Sequence, residues 1–272
     1  VGRRSPVSTG GRSCVNALKR HHRLDIPGNL VQFGDSFLDE PTMPQSLTLV
    51  LSSRHSSQIE QFQLNTAVIA GWTGRDQAAV EKHIRELEEM GVKRPASTPI
   101  FYRVASARVT TAERIEATGE DSSGEVEFVL ARIRGGLYVG VGSDHTDRVV
   151  ETVGVTVSKQ MCDKPIAATF WPFEEVSGHW SQLMLRSWIF EQGERRLYQE
   201  GSVTSMLDPL DLLSRWQDGK GVLSDHCLMF CGTLPAIGGI RMSPAFEFEL
   251  HDPVLNRSIR HHYAIDTLPV YG

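Results

Sequence analysis

The sequence predicts an α+β protein, mostly β, and three observations carry that prediction. Short β-branched or aromatic runs bounded by Gly, Pro, Asp or Ser recur from residue 43 to the end. Helical periodicity is confined to two segments. Strands and helices do not alternate as a doubly wound sheet requires, and no internal repeat, GxGxxG or P-loop is present.

The elements follow in order. Val1–Leu24 holds six Lys or Arg, no acid, and many Ser and Gly, a composition that buries too little apolar surface to offset chain entropy. Residues 1–42 are therefore expected to be a poorly ordered extension. A transit peptide would share the Arg-rich, acid-poor character but needs an amphipathic period that is missing here, so an extension upstream of a natural start at Met43 is the stronger reading. Residues 43–272 then form a single domain. Its expected strands are "SLTLVLSS", "FQLNTAVIAGW", "TPIFYRV", "EVEFVLARIR", "GLYVGVGS", "SQLMLRSWIF", "HCLMFCG" and "AFEFELHD". The clearest helix is "DQAAVEKHIRELEEMG", where Val80, Ile84 and Leu87 recur at i, i+4, i+7 and Gly91 supplies a stop. A shorter helix is expected in "DPLDLLSRWQDG", with Pro209 in its first turn and Gly219 at its end.

Composition narrows the function classes. At 272 residues, 40% hydrophobic and a net charge of −5, the chain has the make-up of a soluble globular protein with one substantial core. No basic stripe interleaved with aromatics points to nucleic acid, and no apolar run reaches the roughly 18 residues that a membrane span needs. The four cysteines, Cys14, Cys162, Cys227 and Cys231, are too irregularly spaced for a disulfide framework. A cytoplasmic setting is the resulting expectation.

The chemistry begins in "GEVEFVLARIRGGLYVGVGSDHTDR". Residues i and i+2 of a strand share a face, so Glu125 and Glu127 present carboxylates side by side. Like charges repel there unless a hard cation compensates them, and Mg2+, Mn2+ or Ca2+ takes several carboxylate oxygens. Asp144 returns to the same place if the two runs form a hairpin through Gly135 and Gly136. The pair Glu247 and Glu249 in "AFEFEL" is a rival, and spacing alone does not choose between them. A zinc site from His226, Cys227, Cys231 and His261 or His262 is a weaker alternative, because one CxxxC in an apolar strand is more simply core packing.

Taken in order, these pieces resemble the fumarylacetoacetate hydrolase superfamily, and more closely a bacterial branch of it, of unassigned function, that carries "AGWTGRD". The likeness runs from about Ala67 to Leu250. It implies a C-terminal-domain-like mixed β-sandwich roll with few helices. It places Glu125, Glu127 and Asp144 at the divalent metal, with Ser143, Thr146 and Arg148 around the Asp, and Asp76 at a fourth acidic ligand position. Lys159 of "SKQMCD" matches a lysine near metal and substrate. "QGERRLYQ" places Gln199, and "CGTLP" places Thr233, among substrate-binding residues, with Met206 downstream; Arg103 and Arg148 complete that set. His83 matches the histidine that activates water, with either Glu86, three residues on, or Glu247 as its partner. Asp76 also suits a helix N-cap. The hairpin connection between Glu127 and Asp144 is shorter than the superfamily's usual one, so a connecting helix is expected to be absent.

The resemblance implies a metal-dependent hydrolase that cleaves a C–C bond in a 2-oxo or 1,3-dicarbonyl acid, using Mg2+, or Mn2+ or Ca2+ in its place. Decarboxylase, sugar-acid dehydratase or isomerase chemistry, or a non-catalytic module binding small acids, are the alternatives. It further implies a homodimer. Its expected partner is a small oxo acid, with neither nucleic acid nor membrane involved.

Overall fold

The computed structural model describes residues 44–89, 94–216 and 223–271, all within a compact unit spanning Thr42–Gly272. The extension expected over residues 1–42 lies outside the described residues.

Two sheets organise the chain. The larger has the order Ser57–Leu64, Gln45–Ser52, Thr169–Pro172, Gly136–Ser143, Val126–Ile133, Cys227–Thr233, Thr66–Gly71, Ile100–Val104. The smaller runs Glu194–Ser202, Met184–Glu191, Ala245–Asp252, Arg257–Leu268, Arg114–Thr118. Both mix parallel and antiparallel pairs. Cys227–Thr233, for instance, lies parallel to Thr66–Gly71 and antiparallel to Val126–Ile133.

The central strand Val126–Ile133 shows why the larger sheet holds its place. Its even positions Val126, Phe128 and Leu130 belong to the core facing the smaller sheet, with Leu185, Phe246, Phe248 and Tyr263. Its odd positions Val129, Ala131 and Ile133 belong to a second core with Leu49, Phe62, Ile69, Phe170 and Phe230. A strand apolar on both sides, as this one is, must be covered on both. The larger sheet meets that demand by packing one face on the smaller sheet and curling its other face around the second core. Glu127 continues the odd series, so its carboxylate emerges at the end of the second core.

The hairpin expected at Gly135 forms by a two-residue turn, with Arg134 at φ 50° and Gly135 at φ 77°, the left-handed pair that matches strand twist. It aligns Val126 with Ser143 and Glu127 with Gly142, with no helix inserted between Glu127 and Asp144. The predicted helices are observed as Gln77–Glu89 and Pro209–Arg215. The second has Asp208 as N-cap, its side chain accepting from the Leu210 amide, and Pro209 in the first turn. Two further helices, Arg148–Val153 and Val155–Met161, follow the hairpin directly. The long strand Arg257–Leu268 was likewise not anticipated by the sequence pattern. Among the described residues no helix is long and apolar enough to cross a membrane.

Candidate metal centre

The hairpin register builds the centre. Past Val126, the chain places Glu125 opposite Asp144, and the Asp144 amide donates to the Glu125 carbonyl at 3.0 Å. Glu125, Asp144 and Glu127 therefore project from one face, with only Gly142 between them. A Cβ at Gly142 would lie 2.7 Å from the Phe230 ring and 3.0 Å from the Pro165 carbonyl, so that face has room for carboxylates and little else. One oxygen from each of the three acids lies within 4.8 Å of the others. Among the described residues no other group of acids, histidines or cysteines converges this way.

Each acid is held differently. A β-bulge separates Phe230 from Thr233 in the neighbouring strand, and it turns the Gly232 amide onto Glu127 Oε2 at 2.7 Å. Arg148 Nη1 donates to Glu125 Oε1 at 3.1 Å and to Glu151 Oε2 at 2.9 Å, while its Nε donates to Ser123 Oγ at 2.8 Å. Asp144 is wholly buried between two ammonium groups. Lys159 Nζ pairs with Oδ2, and Lys164 Nζ lies 3.0 Å from Oδ1. Thr146 Oγ1 donates to the Asp144 carbonyl at 2.9 Å.

Every residue of "DHTDR" is thus committed. Asp144 faces the cluster; Asp147 caps the helix Arg148–Val153 by accepting from the Val150 amide at 2.9 Å. Buried His145 bonds the Tyr263 hydroxyl through Nδ1 and Ser122 Oγ through Nε2, both at 2.9 Å. Tyr263 in turn lies 2.9 Å from Ser143 Oγ. A chain of neutral polar groups therefore stands behind the acids.

The electrostatics are those of a site short of positive charge at one end. Burial, reinforced by the Asp144 charge, pushes the Glu127 carboxyl well above the ordinary range. Burial also raises Glu125, against the pull of Arg148 and Lys159. Burial opposes ionisation of Asp144 too, but Lys159 and Lys164 overcome it and hold that carboxyl below its usual value. Burial would depress Lys159, yet the Asp144 and Glu125 carboxylates outweigh it and keep the ammonium protonated. Burial, helped by the Lys164 charge, brings His145 down to about 3, which leaves its ring neutral.

A divalent cation fits this donor set. Three carboxylates supply the hard oxygen ligands such ions take, and one oxygen of each lies within 4.8 Å of the others. The charge that would relieve Glu127 is the charge such an ion brings.

Glu125 and Glu127 line a cavity of about 600 Å³. Tyr102 and Lys159 flank the acids, with Lys159 Nζ 5.9 Å from the Tyr102 ring centre. Thr233 and Gln199 also line the cavity, but as braces. Gln199 accepts from the Val126 amide and the Ser187 hydroxyl, and donates to Thr233 Oγ1 and the Leu234 carbonyl. Thr233 Oγ1 donates to the Val126 carbonyl at 2.8 Å. Buried Met206 packs in the core, and it bridges Gly74.

Several expected site residues stand elsewhere. Glu247 does not line the cavity: Phe246 and Phe248 fill the core, so alternation turns Glu247 outward, where both oxygens pair with Arg195 at 2.6 and 2.7 Å. Glu249 leaves by the same face for Arg260 and Arg186. Arg103 reaches only Thr66, at 3.5 Å, because its neighbour Tyr102 takes the inward position. Asp76 lines the cavity but is the helix N-cap, accepting from the amides of Ala78 and Ala79, and it is not in the acid cluster. The side chains of His83 and Glu86 lie outside the described residues; position 83 falls one turn beyond Ala79, which lines the cavity. The zinc alternative fails on geometry. Among the described residues these histidines and cysteines form no converging group, and His226 bonds the Gln63 carbonyl. Lys164, His145, Tyr102 and the Gly232 amide went unnoticed in the sequence. The one available signal was a second lysine five residues after Lys159.

Comparison with known proteins bears on the fold and the family. No curated protein matches the chain. Among solved structures, 2-keto-3-deoxy-D-arabinonate dehydratase complexed with magnesium and 2,5-dioxopentanoate is 13% identical, with 79% of this chain and 77% of that one covered and a TM-score of 0.53. A fumarylacetoacetate hydrolase family protein from Yersinia pestis CO92 is 15% identical over 78% and 96%, with a TM-score of 0.52. Yeast ynq8, of the same family, is 17% identical over 77% and 96%, with a TM-score of 0.51. These likenesses show the fold. A family profile described as protein of unknown function (DUF2848) matches residues 70–263. With well over half its length inside that profile, the chain belongs to the DUF2848 family and carries the fumarylacetoacetate hydrolase fold.

Proposed function

We propose that the protein is a divalent-metal-dependent hydrolase that cleaves a C–C bond in a 2-oxo or 1,3-dicarbonyl acid. The observation that carries the reading is the convergence of Glu125, Glu127 and Asp144, two of which line a cavity beside a lysine kept protonated by Asp144 and Glu125. The magnesium-bound dehydratase among the structural neighbours supports a 2-oxo acid as ligand. A bound divalent ion would supply Lewis-acid polarisation of a carbonyl oxygen.

The chain's own groups would do the rest. The Gly232 amide and Arg148 fix the Glu127 and Glu125 carboxylates in place. Lys159 Nζ, buried and positively charged, would hold the substrate carboxylate and the negative charge that the departing carbon leaves on its oxygen. An imidazole at position 83, on the helix that borders the cavity, would take a proton from the attacking water. The water oxygen joins the acyl carbon, the C–C bond breaks, and its electron pair passes to the 2-oxo fragment as an enolate. That carbon then takes up a proton, giving two acids.

A lyase is the second reading, favoured by one observation: with Glu247 turned outward to Arg195, the strand carboxylate expected to assist the histidine is missing from the cavity. The test incubates the Mg2+-loaded protein with acylpyruvates, oxaloacetate and 2-keto-3-deoxy sugar acids, following enol absorbance, CO2 and product mass. Hydrolysis with at least a roughly hundredfold loss of kcat in His83→Ala is expected. Equal turnover without metal and without His83 would refute the mechanism. An active His83→Ala beside a dead Glu127→Ala would select the lyase.

A further inference from the structure

We infer that the ligand of this site carries an extended apolar tail, received by a wall of Trp72, Val80, Leu234 and Ile240. The inference rests on the reading of the acid end as the place of a 2-oxo acid, and it concerns the remainder of the cavity. Oxygens within 4.8 Å of one another mark a small part of about 600 Å³. Away from the acids and the Arg148, Glu151 and Lys159 side chains grouped with them, the lining includes Ile69, Trp72, Val80, Tyr198, Leu234 and Ile240, and the one charged residue there among those described is Asp76, engaged as a helix cap.

Apart from the Ser205 hydroxyl, the neutral polar side chains of that lining already have partners. Thr73 Oγ1 donates to the Cys231 carbonyl at 3.0 Å. Gln199 uses all of its amide capacity on protein groups, Thr233 among them. The Tyr198 hydroxyl accepts from the Arg241 amide at 3.2 Å, and the Trp72 side chain hydrogen-bonds Tyr102. A polyhydroxylated chain would bury hydroxyls against groups that have little left to offer, which disfavours it. An alkyl or aryl chain removes apolar surface from water on both partners.

Two local features strengthen the case. Trp72 sits at φ 58°, a left-handed conformation that is an outlier for a bulky residue and is retained where surroundings enforce it. The conformation sets a large apolar ring at the cavity wall. Ile240 is 54% exposed although it lines the cavity, next to Gly239 at φ 88°. An apolar ligand would cover it.

The experiment titrates the Mg2+-loaded protein calorimetrically with 2-oxobutanoate, 2-oxohexanoate and 2-oxooctanoate, and with a 2-keto-3-deoxy sugar acid of matching length. Affinity is expected to rise by about three- to fourfold per methylene, with the sugar acid no tighter than 2-oxobutanoate. Ile240→Ser, a change at a half-exposed position that the fold tolerates, should flatten that rise. A flat series, or a sugar acid that binds tighter than its alkyl counterpart, overturns this inference and leaves the acid end standing. An unaltered slope in Ile240→Ser overturns the assigned wall. If no 2-oxo acid binds, short or long, the reading of the acid end fails and takes the tail with it.

Discussion

Glu127 carries the most strained charge of the centre. It is 2% exposed, faces Asp144, and has one backbone amide as its hydrogen-bonded support. Glu127→Gln is accordingly expected to abolish Mg2+ and Mn2+ binding by calorimetry, while raising the melting temperature of the chelated protein. Its folded carboxyl titrates above its unfolded value of 4.5. Ionising it therefore costs the metal-free fold nothing below that pH and progressively more above it, so the gain in melting temperature should widen as pH rises. His145 behaves oppositely. Its folded value near 3 lies below the unfolded 6.5, so the unfolded chain binds the extra proton in between. Stability is full above 6.5 and falls through that window at up to about 1.4 kcal/mol per pH unit. Melting curves from pH 7 to 4 should be flatter for His145→Gln. Alternation put Glu125 and Glu127 on one face, but spacing left Glu247 and Glu249 as rivals, and the family resemblance chose between them. Glu247 was offered by its match to the superfamily's strand glutamate, and only the distant neighbours of each strand decide which face meets a cavity.

At the scale of elements, the bulge at Gly232 links strand pairing to the acid cluster. A Cβ there would stand 1.7 Å from Thr73 Oγ1, at a backbone φ of 101° that side chains rarely adopt. Gly232→Ala is expected to destabilise the protein by about 1–3 kcal/mol in urea unfolding and to weaken Mn2+ binding, since the amide on Glu127 shifts with it. The sequence shows a "CGT" within a strand but not the extra residue that forms the bulge, because registers of pairing are settled between segments about a hundred residues apart. The helices Arg148–Val153 and Val155–Met161 were similarly hidden. Their β-branched run "VVETVGVTV" has strand composition, and the Asp147 cap together with Gly154 divides it into helical turns instead.

For the molecule as a whole, the pairing of Thr66–Gly71 with Cys227–Thr233 and the nesting of the larger sheet's curl around a second core could not be read from local pattern. The two-sided apolar strand Val126–Ile133 was the trace they left. We propose that the protein is a homodimer. Val149 and Val153, four residues apart on Arg148–Val153, are 56% and 88% exposed, and Val157 on the following helix Val155–Met161 is 58% exposed, exposed apolar side chains of the kind interfaces cover. Light scattering at micromolar concentration should give twice the chain mass, and Val153→Asp should halve it; a monomeric parent protein would refute the proposal. The two-residue turn at Arg134 and Gly135 has a consequence for the order of events in folding. Because it closes the shortest of loops, all three acids come from one stretch of chain, Glu125 to Asp144, and the entropy of bringing them together is small. They can meet before the distant strands arrive, so a cation can act as a template for the growing sheet. Refolding from urea should then run faster with Mg2+ present from the start than with Mg2+ added late, and Glu127→Gln should erase that difference.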